Sequence, residues 1–372
     1  MNAGSRAGLL EPIPRLSTSG ARAVEPFLQN GERFLAVPQL AVDIAGQPPA
    51  LTAGDSDTEL LVLRLQDGRF EEFQRLPVPG GEDAEHFEID GRSFLATASL
   101  KRGKGPYEMA LASTIFEWRG GRFEPFQRID TFAAKQWTFF ALDGRRFLAL
   151  AQGVAHGAEP PPPGAQSRLY EWNGDRFVPF QDIASAWGYN WLAFDAGGRS
   201  WLAYADHAVP SRLLQWNGKA FEEAQLLEGA SGRAFCHFRA GGEDWLVFAC
   251  LLHETWLLRL QEGRFVRHQR LSGPGGRELA WIPAGEGGHL VQTNFIEGSR
   301  EAPQPVLRSV VYAWRDGRLE VVDDFQTIGG TDAAAFAVGA ETWLAVSNSL
   351  DRNLRFLGET CIYRFHAEAR DA

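Results

Sequence analysis

The chain has only three cysteines and two methionines and contains no long apolar run, and each scarcity removes a class of protein. Cys236, Cys250 and Cys361 are far apart and odd in number, so they form neither a disulfide framework nor a zinc motif. The opening segment MNAGSRAGLLEPIPRL carries one early arginine and a patch of two leucines. Neither a secretory leader nor a membrane span is expected from it, and a cytoplasmic location follows as the default. Basic residues are the minority, 37 Lys and Arg against 47 Asp and Glu, giving a net charge of −10. That balance argues against a general nucleic-acid binder, which needs a basic face for phosphates. No segment keeps apolar residues at a 3.6 spacing, which removes long amphipathic helices. Gly-x-Ser-x-Gly, phosphate-loop and dinucleotide fingerprints are missing too, and no cofactor is expected.

What the chain does have is aromatic residues and glycine. Its 26 Phe, 12 Trp and 40 Gly favour short strands joined by tight turns, so the fold is expected to be all-β. Hydrophobic residues at 44% supply enough apolar material for a core. A short pattern then recurs: an apolar residue two positions after a turn, at Phe70, Phe123, Phe177, Phe221, Phe265 and Leu319, at intervals of 53, 54, 44, 44 and 54. A period near 50 with several strands per unit marks a β-propeller.

Seven inner hairpins can be read, starting near residues 22, 82, 135, 189, 233, 277 and 331, and seven third strands follow them, from LLVLRL to CIYRF. Only six fourth strands occur in line. The segment IPRL, residues 12–16 or so, resembles the end of a fourth strand and is expected to complete the last blade beside Cys361–Phe365. Residues 1–372 then form a single seven-bladed propeller of four-stranded blades, closed without a free sheet edge.

The repeated order of Ser/Thr-x-apolar-Tyr-x-Trp, Gly-Arg-Phe, Phe-Gln-x-Leu and Phe-x-x-x-Gly-x-x-Phe-Leu-Ala resembles the EAR (epilepsy-associated) or EPTP repeat of the epitempin-like proteins, over nearly the whole chain. The resemblance implies a seven-bladed propeller that binds protein partners. The chain departs from the secreted animal members in having no Asn-x-Ser/Thr glycosylation site, and no leader or adjoining leucine-rich domain is read in it, so location and partner do not carry over.

Two aromatic columns, Trp118, Trp172, Trp216 and Trp314 on third strands and Phe87, Phe140, Phe194, Phe238 and Phe336 on inner strands, are expected to pack between blades. Polar residues ending the second strands (Gln39, Ser99, Gln152, Asp206, Asn294, Asn348) and opening the third (Ser113, Ser167, Ser211, Thr255, Ser309, Thr360) are expected to hydrogen-bond one another. One face carries the long loops, with short connections near His207 and His253, and function is placed there.

At the channel mouth the alignment sets Arg22, Glu82, Lys135, Tyr189, Arg233, Arg277 and Thr331, with Asp83, Glu278 and Asp332 one residue on. Arg22, Lys135, Trp137, Tyr189, Trp191, Arg233, Arg277 and Asp332 are the candidate ligand-binding set. Against it stands a bland reading in which Arg22 pairs with Asp332, Arg277 pairs with Glu278 or Asp83, and the charges merely fill the channel. His207 and His253, beside Asp206 and Glu254, are the only metal candidates; His86, His156, His237 and His268 read as packing or solvent residues. The expected function is a soluble binding or scaffold propeller for a protein, peptide or anionic small molecule, with neither nucleic acid nor membrane as partner. The alternative is an enzyme, a lyase, cyclase or hydrolase, with a polar site at the channel mouth.

Overall fold

A computed structural model describes residues 8–154, 165–299 and 302–368. Among these residues there is no helix, and the strands form seven four-stranded antiparallel sheets. Inner strands begin at Glu25, Gly81, Gln136, Gly188, Gly232, Gly276 and Gly330, and each touches the next around the ring, the last touching the first. A small ribbon, Glu297–Gly298 with Pro303–Gln304, decorates the long loop of blade 6. His156, one of the histidines read as solvent or packing, lies outside the described residues.

The blades form where the sequence punctuates them. At Asn30-Gly31 both turn residues have positive φ, 52° and 80°, the geometry whose twist matches a two-residue hairpin and which Asn and Gly adopt at least cost. In blades 3 and 4 the outer hairpin instead uses Asn173 and Asn217, whose side-chain oxygens accept the N–H groups two and three residues on.

Leu10–Ser17 is the outer strand of blade 7 and runs antiparallel to Glu359–Phe365, from Leu10 opposite Phe365 to Ser17 opposite Glu359, with an irregularity between Ile13 and Leu16. The closing strand is therefore longer than the IPRL segment that announces it. Chain start and chain end share one sheet, so the ring is closed by hydrogen bonds between residues some 350 positions apart.

Side chains then tie blade to blade. Gln74, Gln127, Gln181, Gln225 and Gln269 each reach from an outer strand to the next blade, donating to one backbone carbonyl and accepting the N–H of the same residue: Phe123, Phe177, Phe221, Phe265 and Leu319. At the sixth joint Asp323 stands where Gln would, and its carboxylate accepts the N–H of Leu9, just before the closing strand, at 2.6 Å. The aromatic columns fill the same seams, as expected: Phe238 stacks on Trp281 at 4.0 Å between centroids, and Trp118 meets Phe34 and Phe73 edge-on and face-on. Such pairs add about 0.5–1.5 kcal/mol each beyond the area they bury.

The two polar columns also meet. Ser211 Oγ accepts the Asp206 N–H at 3.1 Å, and Ser309 Oγ accepts that of Asn294 at 2.9 Å. The hydroxyl takes the space beside the next inner strand, so a Cβ on Gly232 would lie 2.3 Å from Ser211 Oγ. A glycine is obligatory there for steric reasons.

Removing residues 1–17 should leave Glu359–Phe365 as a bare edge and discard the Asp323 contact. The expected outcome is a melting temperature lower by several degrees, or aggregation, by calorimetry and size-exclusion chromatography. An unchanged melting temperature and a monomeric profile would contradict the closure.

A charged channel mouth as the candidate functional site

The site begins with a backbone irregularity. In blades 2, 4, 5, 6 and 7 the ladder between the inner two strands slips by one residue right after the entrance glycine, leaving Glu82, Tyr189, Arg233, Arg277 and Thr331 as bulged residues. In a regular strand neighbouring side chains point to opposite faces. A bulge adds a residue and re-aims it, so in blades 2 and 6 two consecutive side chains, Glu82 with Asp83 and Arg277 with Glu278, face one cavity. That cavity occupies about 180 Å³ on the axis.

Glu82 is the electrostatic pivot of the first tier. It is only 3% exposed, its Oε1 lies 3.1 Å from Lys135 Nζ and 3.2 Å from Arg22 Nη2, and its Oε2 accepts from Arg22 Nε at 3.2 Å. Burial alone would push its pKa up, but Arg22, Lys135 and Arg277 together bring it down to about 2. The pairing expected from sequence, Arg22 with Asp332, is not formed: Asp332 is occupied with the backbone N–H groups of Val24 and Ala333, at 2.7 and 2.8 Å. Nor does Arg277 pair with Glu278 or Asp83; among the described residues no carboxylate lies within 4 Å of its guanidinium.

Tyr189 is the second pivot. Arg233 lies 3.7 Å above its ring centroid, with Arg277 and Lys135 at 5.1 and 5.2 Å. Burial raises the phenol's pKa, and the three cations, Arg233 first, overcome that and lower it to about 8. Arg233 is itself brought to about 10 by burial and by Arg277, so it stays charged at neutral pH. It donates to His207 Nδ1 at 2.8 Å, which fixes His207 as a neutral acceptor, and burial with the nearby cations moves that imidazole to about 3. Lys101 completes the cation set from the long loop of blade 2. It is 3% exposed, donates to Thr52 O at 2.8 Å and sits 3.7 Å over Tyr107; burial lowers its pKa to about 8.

The next tier is acidic and laces the inner strands together. Asp83 accepts the N–H of Trp137 at 2.8 Å, Gln136 that of Trp191 at 2.6 Å, and Asn190 that of Phe235 at 3.4 Å. Lower still, Glu25 accepts from His86 and Glu85 from Phe139. Burial, helped by neighbouring carboxylates, moves Asp83 up to about 7 and Glu85 to about 8 and holds Glu25 above the usual range; Glu278 and Asp332 also stay raised by burial although Arg277 pulls both down.

Of the sequence-derived set, Arg22, Lys135, Tyr189, Arg277 and Asp332 line the cavity, and Arg233 supports it from behind Tyr189. Trp137 and Trp191 stand elsewhere. Both are buried between blades, Trp137 donating its indole N–H to Thr97 O and Trp191 packed against Tyr204 with the rings tilted by 40° and 4.2 Å between centroids. Strand alternation sends their side chains away from the channel while their neighbours Gln136 and Asn190 face it. His207 and His253 are not brought together: His253 lines a separate groove between blades 4 and 5 with Cys250 and Trp256. The Asp206 carboxylate is spent on the N–H groups of Ala186, Trp187, Ala208 and Val209. Among the described residues no three His, Cys, Asp or Glu side chains are grouped to hold a metal. Lys101, Glu25 and Glu85 were missed by sequence reasoning. The clusters of Lys and Arg in SLKRGKG, and of acidic residues in GEDAEHFE and AVEPF, are the signals that point to them.

The long loops roof part of the mouth. Leu40, Ala41, Leu350 and Phe356 form a small core with Leu51, Leu100, Phe295 and Leu354, drawn from the loops of blades 1, 2, 6 and 7, and Phe295 lies under Arg22. Blades 4 and 5, by contrast, make these connections with residues 207–211 and 251–254 only. Larger clefts on the flanks, about 520 Å³ at blade 7 and 640 Å³ between blades 4 and 5, mix arginines with comparable numbers of carboxylates. Neither has the charge segregation of the axis.

Fold and site define a closed seven-bladed propeller with a stratified, charged cavity on its axis. Residues 69–119, 122–173 and 176–217 match the EPTP domain. Each match runs from the outer strand of one blade through the third strand of the next, so the sequence unit is offset by one strand from the structural one. The chain is also similar to the thrombospondin-type laminin G domain and EAR repeat-containing proteins of human, 30% identical over 183 residues, and of mouse, 31% identical over 153 residues. Those matches cover 47% and 39% of this chain but only 25% and 21% of the relatives, so the chain spans about a quarter of their length. Three matched repeats, and two relatives named for the same repeat, make residues 69–217 similar to the EAR/EPTP repeat family.

Two measurements test the site. Glu82→Gln leaves Arg22 and Lys135 buried without their counter-charge and should cost about 3–5 kcal/mol in denaturant unfolding; a loss below about 1 kcal/mol would reduce Glu82 to a bystander. Ultraviolet titration should show one of the six tyrosines ionising near pH 8. Tyr189→Phe should abolish that step, and Arg233→Gln should move it upward. Because the folded pKa lies below the unfolded value of 10.0, the associated stability is complete above pH 10 and is lost as pH falls through about 8.

Proposed function

We propose that the chain is a binding propeller whose channel mouth recognises an anionic group, carried by a small molecule or presented by a protein or peptide partner seated on the long-loop face. The observation that carries this reading is an imbalance: Arg22, Lys135 and Arg277 line one cavity, with Arg233 behind Tyr189 and Lys101 in the loop nearby, while the first tier holds a single ionised acid, Glu82. Buried cations normally have paired counter-charges. Here the missing counter-charge has a place to bind, and arginine offers paired donors suited to carboxylate or phosphate oxygens. Similarity to the EPTP repeat over residues 69–217 supports a binding role. A second reading, proton-transfer chemistry at the mouth, draws on Tyr189, whose phenol at about 8 falls in the range useful to a general acid or base.

Inorganic phosphate and glutarate are the first probes, followed by calorimetry and thermal shift. The wild type should be stabilised by one or both. Arg277→Gln should weaken binding roughly 10- to 100-fold, the loss expected for hydrogen bonds to a charged group, with a smaller drop in melting temperature than Glu82→Gln, because this arginine makes no ion pair that its removal would break. Unchanged affinity in Arg277→Gln would refute the assignment. Tyr189→Phe separates the readings: it should preserve anion binding, and a turnover assay that it silenced would favour the enzyme.

A further inference from the structure

We propose that the axial cavity holds a small zwitterion of the amino-acid class, its acid group on Arg277 and Lys135 and its ammonium group on the acids beneath. This rests on the reading above that the mouth takes an anion, and adds the second charge and the size of the ligand.

The cavity presents unserved groups of both signs. Arg277 is only 8% exposed, lines the cavity, and makes no hydrogen bond or ion pair among the described residues. Below it Glu278, Glu85 and Glu25 each give one oxygen to a backbone N–H, of Leu279, Phe139 and His86 respectively. Their second oxygens accept nothing among the described residues, although all three side chains line the same cavity. A structural role explains the first oxygen of each and leaves the second without a purpose. No protein cation is paired with these three acids among the described residues: Arg22 and one of the three donors of Lys135 go to Glu82, and Arg277 stays more than 4 Å from every carboxylate. Their raised pKa values reflect that shortage, and an ammonium group would reverse it.

Geometry decides what sort of cation fits. No three acids are grouped to coordinate a metal ion among the described residues, whereas an ammonium has three donors and tolerates irregular acceptors. The bulge in blade 6 sets Arg277 and Glu278, adjacent in sequence, on one wall, where they face the cavity without pairing with each other. Acid and amine on one short ligand can meet both. Size suits short ligands: 180 Å³ is the liquid share of about six waters at ~30 Å³ each, below the ~300 Å³ at which pockets for drug-sized ligands begin.

The test compares glycine, 3-aminopropanoate and 4-aminobutanoate with acetate, propanoate and butanoate by calorimetry on the full chain. At least one amino acid should bind tenfold or more tightly than its deaminated partner. Glu278→Gln keeps an oxygen for the Leu279 N–H and should erase that preference while leaving carboxylate binding in place. Equal binding of amino acid and carboxylate, or a preference that survives Glu278→Gln, overturns the zwitterion and spares the anion reading. Binding of phosphate with none of the six probes does the same. If phosphate, carboxylates and amino acids all fail to bind, both readings fall. Because the preference is measured first in the wild type, instability of the variant does not remove the test.

Discussion

The bulge at the entrance of the inner strands is the constraint on which this molecule turns. A propeller needs inner strands that pack their alternate side chains into the seams between blades, which sends every second residue into a hydrophobic core. Without an irregularity, only one of Arg277 and Glu278 could face the axis, and the other would be an uncompensated charge in a seam. The extra residue resolves that conflict by giving the mouth its own ring while keeping the register below it. Its cost in ladder hydrogen bonds is offset locally. The entrance glycine lets the third-strand hydroxyl approach, and that hydroxyl caps the end of the second strand.

Charge is then sorted by height along the axis. Cations gather at the mouth because Glu82 and the Tyr189 ring can hold several of them at once, the carboxylate by ion pairing and the ring by its π face. Acids gather beneath because the inner strands of neighbouring blades do not pair with each other and their N–H groups need acceptors. Asp83, Glu85, Glu25 and Asp332 provide them, as the neutral Gln136 and Asn190 do elsewhere. A scaffold requirement thus places carboxylates on the axis. Their capacity to ionise goes beyond what the scaffold needs, since neutral Gln136 and Asn190 serve it equally, and this excess connects architecture to recognition.

The recurrent Phe-Gln-x-Leu of the repeat has the same character of a joint. Phenylalanine fills the seam while glutamine grips the N–H and the C=O of one residue in the next blade, so the sequence unit reaches across a blade boundary by necessity. Closure reuses the device with one change: Asp323 can only accept, and it meets an N–H at Leu9.

Local chemistry alone determines the strands, their turns and their number, because alternation, Asn-Gly pairs and a period near 50 are written along the chain and need no partner to be read. Closure was legible too, from a count of six fourth strands against seven third strands and the IPRL segment. Which residues share the mouth was legible from alignment of the repeats, and Arg22, Lys135, Tyr189 and Arg277 are found there. The partners were not. Position in the aligned repeats offered Arg22 with Asp332 and Arg277 with Glu278 or Asp83 as the bland reading, whereas the fold gives Arg22 to Glu82 and leaves Arg277 without an ion pair, because Asp332, Glu278 and Asp83 are turned onto backbone N–H groups. Nor could the outward place of Trp137 and Trp191 be read, since it depends on whether a bulge precedes them, and a bulge is a property of two strands in register. Pairing between charges is decided in three dimensions by which atoms the backbone has already claimed, and only the tertiary structure shows that.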